Sequence, residues 1–176
     1  PPFLSAPKNQ DRTLSKFSMV TQNDQWVMDF EAFEKAITPK TKLFILCNPH
    51  NPLGRIFSKD ELLAVARLCE KHDVIICSDE IHCDLLLDKD KPHIPTAALA
   101  PDIAERTITL MAPSKTFNIA GLGLSFAIIP NEKLRKQFQQ AMGGIVPHPN
   151  LFGYTAALAA YQHGGEWLTA LLDYLR

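Results

Sequence analysis

The chain has 176 residues, 46% of them hydrophobic and 21% charged, with 18 Lys+Arg against 19 Asp+Glu for a formal charge of −1. That apolar share excludes a disordered or collagen-like chain, and the even charge gives no electrostatic basis for binding nucleic acid or an anionic membrane. No apolar run approaches the roughly 20 residues of a membrane-spanning helix, and the length predicts one domain with a proper core.

Residues 13–20 alternate loosely between polar and apolar, and 25–28 form a second short apolar piece. With Asn23-Asp24 as the turn between them, they predict a hairpin. Phe30, Phe33, Glu34 and Ile37 recur at helical spacing up to Pro39, which stops the helix. Residues 42–47 read as a strand, and 48–54, with two Pro, two Asn and a Gly, as a loop. Ser58-Lys59-Asp60-Glu61 has the form of a capping box. Leu62, Val65, Ala66 and Cys69 then mark the buried stripe of a helix that runs to about His72. Further strands are predicted over 74–77, 107–112 and 124–129. Helices are predicted over 102–105, 132–142, 150–162 and 166–176.

Strand and helix alternate in a βαβ rhythm, and the strands are apolar on both faces. This predicts an α/β fold of three layers, α/β/α, around a mostly parallel sheet. In such sheets ligands bind beyond the carboxyl ends of the strands. Those ends carry Asn48-Pro49-His50-Asn51-Pro52-Leu53-Gly54, Ser78-Asp79-Glu80-Ile81-His82 and Pro113-Ser114-Lys115-Thr116-Phe117-Asn118. Each segment alone has an ordinary reading as a turn, a helix cap or a solvated lysine. Together an amide, a carboxylate and an amine at one sheet edge suit pyridoxal 5′-phosphate. Its aldehyde needs the amine of Lys115 for a Schiff base. Its ring nitrogen keeps its proton when a carboxylate such as Asp79 faces it. Its 3′-oxygen accepts from a neutral donor such as the Asn51 amide.

These three segments resemble fold-type I pyridoxal-phosphate enzymes, the class I/II aminotransferase superfamily, and within it most of all the MalY/PatB-type cystathionine β-lyases, or C–S lyases. The segment from Cys47 to Gly54 is similar to the family's N-P-x-N-P-x-G loop, and Ser78-Asp79-Glu80-Ile81-His82 to S-D-E-I-H, whose His is characteristic of the lyase branch. The segment from Ser114 to Leu122 resembles the one around the Schiff-base lysine. The spacing fits as well, with Asn51, Asp79 and Lys115 standing 28 and 36 residues apart. The likeness extends to Pro92-His93-Ile94-Pro95 and Ala159-Ala160-Tyr161-Gln162.

The resemblance implies that Lys115 holds the cofactor and shuttles protons, and that Asp79 pairs with the ring nitrogen. It implies that Asn51 and His82 serve the 3′-oxygen and that Ser114 serves the phosphate. Gly123 stands where many aminotransferases carry a phosphate-binding Arg, and Ala112 where many carry a Ser, so the anion is expected to lean on backbone amides. The reaction implied is β-elimination from cystathionine or a cysteine conjugate. Amino-acid transamination, a cofactor-binding regulatory role and an inactive truncated chain are the alternatives. A cytoplasmic homodimer acting on a small amino acid is expected. Relatives are longer, which makes residues 1–170 the central part of the large cofactor domain and 171–176 the start of an interdomain helix. On that reading, an upstream Tyr, a glycine turn and a carboxylate-binding Arg in a second domain lie elsewhere.

The four cysteines form no C-x-x-C pair and read as reduced thiols. Cys77, His82, Cys83 and His50 match no usual zinc spacing, so no metal is expected. His50, His93, His148 and His163 read as loop or helix-end residues without an acid–base partner, and Arg55 as surface-exposed. Glu80 lies one residue from Asp79 on a strand and so faces the other way, toward an ion pair or a helix start. Trp26 and Trp167 read as packing residues.

Overall fold

A computed structural model describes residues 2–176, so Pro1 of the opening Pro1-Pro2-Phe3 segment, like the Pro2 side chain, lies outside the description. The first elements are α1 (Pro2–Asn9), β1 (Met19–Gln22), β2 (Gln25–Met28), α2 (Phe30–Ala36), β3 (Leu43–Cys47), α3 (Lys59–Lys71) and β4 (Ile75–Asp79). There follow α4 (Pro101–Glu105), β5 (Thr107–Met111), α5 (Pro113–Thr116), β6 (Phe126–Ile128), α6 (Glu132–Met142), α7 (Leu151–His163) and α8 (Gly165–Leu175). Short 3-10 turns at Thr96–Ala98 and Ala120–Leu122 complete them.

Local chemistry sets the helix starts. Asp29 accepts from the Ala32 amide, Asn131 from Leu134 and Asn150 from Gly153, each the side-chain cap of the helix that follows. Ser58 and Glu61 form both halves of the capping box predicted for α3. The hairpin forms as β1 and β2, paired antiparallel from Met19↔Met28 to Gln22↔Gln25, with Asn23 and Asp24 in the left-handed region at the turn, but its first strand covers Met19–Gln22 rather than the predicted 13–20, because only the residues opposite β2 find ladder partners. Helix α1 was not predicted; its eight residues include Pro7 and lack an acidic first turn, so the usual start signals are missing.

The main sheet has the order β3-β4-β5-β6. The first three strands are parallel and β6 runs antiparallel to β5. This is an α/β fold with a mostly parallel sheet, as the strand–helix rhythm predicts. Register divides the sheet into two unlike faces. Leu46 and Ile76 turn toward α2, α3 and α4, where Phe33, Leu62, Val65, Ala66, Cys69 and Ile103 close the core. Residues of opposite parity, Ile45 paired with Cys77 and Cys47 paired with Asp79, are only half-buried. The two faces of these strands are therefore covered unequally.

Strand β4 is longer than predicted and takes in Ser78 and Asp79. Both lie in a central strand, where neighbours on each side extend the ladder. The Asn48 amide donates to the Asp79 carbonyl and the Glu80 amide to the Leu110 carbonyl, each at 3.0 Å. This context overrides the weak strand preference of an Asp. Strand β6 is shorter than the predicted 124–129, since an edge strand is paired on one side alone.

Candidate functional site

Because β3, β4 and β5 are adjacent and parallel, their carboxyl ends converge, and the segments carrying Asn51, Asp79 and Lys115 leave the sheet along one edge. Asp79 closes the central strand of the three. Its Oδ1 accepts from the Ile81 amide at 3.1 Å, and among the described residues its Oδ2 has no hydrogen bond.

Asn51 sits in the turn beyond β3, between cis bonds at Asn48-Pro49 and Asn51-Pro52. The turn is anchored from below by Asn48, fully buried, whose Oδ1 accepts from the Phe57 amide at 3.0 Å. It closes on itself through His50 and Arg55, with the His50 amide donating to the Arg55 carbonyl at 2.7 Å. Gly54 takes a φ of +64° there, the region that glycine enters freely. Burial holds the His50 imidazole below its ordinary pKa, and its Nδ1 is buried without a partner.

Lys115 lies in α5, the single helical turn that follows β5, and its side chain is exposed. Its neighbour Thr116 is fully buried and donates to Asp84 Oδ2 at 3.2 Å, tying the lysine turn to the segment beyond Asp79. Phe117 packs edge-on to Tyr161 at 5.7 Å and also meets Trp167, which locks the same turn against α7 and α8. His82 is half-buried in the first turn after β4, its carbonyl accepting from the Leu85 amide at 3.0 Å. Ser114 is half-buried beside Lys115, and its carbonyl accepts from the Ile119 amide. Among the described residues, the side chains of Asn51, His82, Ser114 and Lys115 make no hydrogen bond or ion pair within the chain. An exposed amine, a carboxylate with a free oxygen, an amide and an imidazole are thus uncommitted along one sheet edge.

Two readings from the sequence are corrected. His93 does have an acid–base partner: its Nε2 lies 2.8 Å from Glu80 Oε2, with both side chains almost wholly buried. The partner is 13 residues away, a spacing that no single helix or strand brings together. Arg55 is not a surface residue. It is three-quarters buried, bonds Glu61 Oε2 at 2.6 Å and the Trp26 carbonyl, and lies over the Phe57 ring at 4.7 Å. Glu80 faces away from Asp79, as strand alternation demands, and Ser78 and Thr96 also donate to it. Trp26 and Trp167 are each 46% exposed, so neither is a core residue. The Asp84–Thr116 link had no sequence signal; it joins two loops across 32 positions.

The four cysteines are free. Burial and the Asp79 charge push the Cys77 thiol up to about 11, and burial with Asp84 and Glu80 pushes Cys83 up to about 12. These thiols stay protonated at neutral pH. Among the described residues, no group of three or more His, Cys, Asp or Glu is placed to hold a metal ion, and no helix is long and apolar enough to cross a membrane.

The donor set and the parallel sheet edge fit a phosphopyridine aldehyde. The chain belongs to the aminotransferase class I and II family, whose model matches residues 9–175. It is 42% identical to cystathionine beta-lyase PatB of Bacillus subtilis over 99% of this chain and 45% of the relative. Among solved structures, OvoB superposes with a TM-score of 0.96 at 48% identity, over 100% of this chain and 46% of that one. The PLP-bound C–S lyase of Staphylococcus hominis superposes with a TM-score of 0.88 at 37% identity, over 99% of this chain and 44% of that one. The chain therefore spans less than half the length of the relatives it matches. Pyridoxal phosphate is the cofactor of the family, and its similar members include C–S lyases and aminotransferases.

Proposed function

We propose that the protein carrying this chain is a pyridoxal-phosphate-dependent lyase that breaks the Cβ–S bond of a sulfur amino acid such as cystathionine or a cysteine conjugate. The observation that carries the reading is the set of uncommitted side chains at the edge of β3, β4 and β5. It stands in a chain 42% identical, over nearly its whole length, to a cystathionine beta-lyase.

When bound, the cofactor supplies an aldehyde that takes up an amino group and a ring that accepts the electron pair of a broken Cα–H bond. The rest falls to the protein. Lys115 Nζ, exposed and unpaired, is the amine that holds the aldehyde and, once displaced by substrate, the base that takes the Cα proton. Asp79, with one oxygen tied to Ile81 and one free, keeps the proton on the ring nitrogen. Asn51 and His82 donate to the 3′-oxygen, and Ser114 donates to the phosphate. With water consumed, the products are a thiol, pyruvate and ammonia.

In the same reading residues 1–170 are the central part of a large cofactor domain, and 171–176, the last part of α8 and the residue after it, lead toward a second domain. The relatives' greater length supports this division. The protein acts in the cytoplasm as a homodimer, a reading in keeping with four free thiols.

The test is to incubate the protein carrying this chain with pyridoxal phosphate and L-cystathionine. Pyruvate and free thiol in equal amounts are expected, together with a visible band that borohydride fixes onto Lys115. Formation of a keto acid with pyridoxamine phosphate, and no thiol, would overturn lyase activity in favour of transamination. Turnover that survives Lys115→Ala would overturn the assignment of the lysine.

A further inference from the structure

The most heavily satisfied buried carboxylate lies next to the site. Glu80 is 1% exposed. Its Oε1 accepts from Ser78 Oγ at 2.8 Å and from the Thr96 amide at 3.0 Å, and its Oε2 meets His93 Nε2 at 2.8 Å. Ser78 Oγ and Thr96 Oγ1 lie 3.0 Å apart and complete the cluster. The His93 ring is fixed by this one contact through Nε2, and its Nδ1 is buried without a partner among the described residues. A buried carboxyl group costs free energy to desolvate, and these bonds work against that cost. An apolar side chain would fill the same space without the cost.

What the cluster achieves is closure. Ser78 and Glu80 stand at the end of β4, and His93 and Thr96 return from 13 and 16 residues further on. The chain between them is a loop whose two ends are joined at its base by Glu80. That loop carries His82. It also carries Asp84, which accepts from Thr116 beside Lys115. The Glu80 amide, moreover, bonds the Leu110 carbonyl of β5, the strand that leads to the lysine.

We propose that Glu80 is a positioning residue for the cofactor site: by tying His93 and Thr96 to the end of β4 it holds Asp79, His82 and, through Asp84 and Thr116, Lys115 in one arrangement. The proposal rests on the reading of that edge as a pyridoxal-phosphate site. Glu80 touches no reacting atom; it acts through the loop.

The experiment compares wild type, Glu80→Ala, Glu80→Gln, His93→Ala and Leu62→Ala in the protein carrying this chain. Cofactor affinity, thermal midpoint and the ring-nitrogen resonance of bound 15N-labelled pyridoxal phosphate are measured. Glu80→Ala should weaken cofactor binding by about tenfold or more and displace the 15N resonance, because Asp79 no longer holds its position. Glu80→Gln keeps an oxygen for Ser78 and the Thr96 amide, so it should restore affinity to within about threefold of wild type. His93→Ala should shift both readouts in the direction of Glu80→Ala. Leu62→Ala, a core change on α3, should lower the midpoint and leave affinity and resonance of the folded protein unchanged. If Glu80→Ala does not fold, His93→Ala against Leu62→Ala decides. Wild-type affinity and resonance in both loop variants would overturn the positioning role while leaving the cofactor site standing. Failure of wild type to bind the cofactor at all would overturn both.

Discussion

Replacing Asp79 by Asn separates the fold of the site from its electrostatics. Asp79 Oδ1 accepts from the Ile81 amide at 3.1 Å, and an Asn side-chain oxygen accepts that bond equally well, so the turn after β4 is retained. Stability should change by less than about 0.5 kcal/mol, because no bond to a buried group is lost. The charge, by contrast, is removed entirely. A carboxylate about 4 Å from a pyridinium at an effective dielectric of about 20 contributes about 4 kcal/mol. That energy corresponds to about three pKa units on the ring nitrogen, enough to take its proton away at neutral pH. If the whole of it is felt in the step that breaks Cα–H, the rate falls about a thousandfold. The assay is exchange of the substrate Cα proton with deuterated solvent, followed by NMR, beside the thermal midpoint. A variant that unfolds like wild type and exchanges within about tenfold of it would refute the assignment of Asp79.

Three further outcomes follow from the packing. Burial pushes Cys69 up to about 12 from an ordinary value near 9, so between those two pH values the folded chain keeps a proton that the unfolded chain has lost. Stability must then fall as pH rises, by at most about 1.4 kcal/mol per unit from this group; urea midpoints between pH 8 and 10.5 should drop less steeply in Cys69→Ala, and equal slopes would contradict the assignment. Ser58→Ala removes the bond from the Glu61 amide that starts α3 and should cost about 0.5–2 kcal/mol, a midpoint loss of a few degrees in a thermal melt. At Gly164 an added Cβ would meet the Ala160 carbonyl at 2.5 Å and the Phe117 ring at 2.6 Å, so Gly164→Ala should cost about 1–3 kcal/mol and alter the near-UV dichroism of the Phe117–Tyr161–Trp167 cluster. Gly165→Ala, with nothing within 4 Å, should leave both signals in place.

What could be read from the sequence was whatever is encoded locally. The capping box at Ser58, the hairpin turn at Asn23-Asp24 and the apolar β4 core are complete within a few residues, and each formed where it was predicted. The positions of Asn51, Asp79 and Lys115 were legible for a different reason. A parallel sheet must present the ends of its strands on one edge, so finding the strands was enough to bring the three segments together. Contacts across long separations left no such signal. Glu80 with His93, Asp84 with Thr116 and Arg55 with the Trp26 carbonyl each join segments that only the tertiary fold brings near. Strand ends were misplaced for the same reason, since whether Ser78 and Asp79 extend β4 depends on partners in β3 and β5.

Asp79 and Glu80 are adjacent carboxylates with opposite fates, and the pleat alone divides them. Asp79 shares a half-buried face with Cys47, its partner on β3, and keeps one oxygen free. Glu80 turns with Ser78 to the other side and is consumed by internal donors. A register slip of one residue would exchange them, burying Asp79 and exposing Glu80. Burial guards against that slip, which would turn Val74 and Ile76, both fully buried, out of the core. The apolar pattern that completes the core therefore also decides which acid keeps a free oxygen at the sheet edge, and a change that loosened β4 from either neighbour would reach Asp79 without touching it.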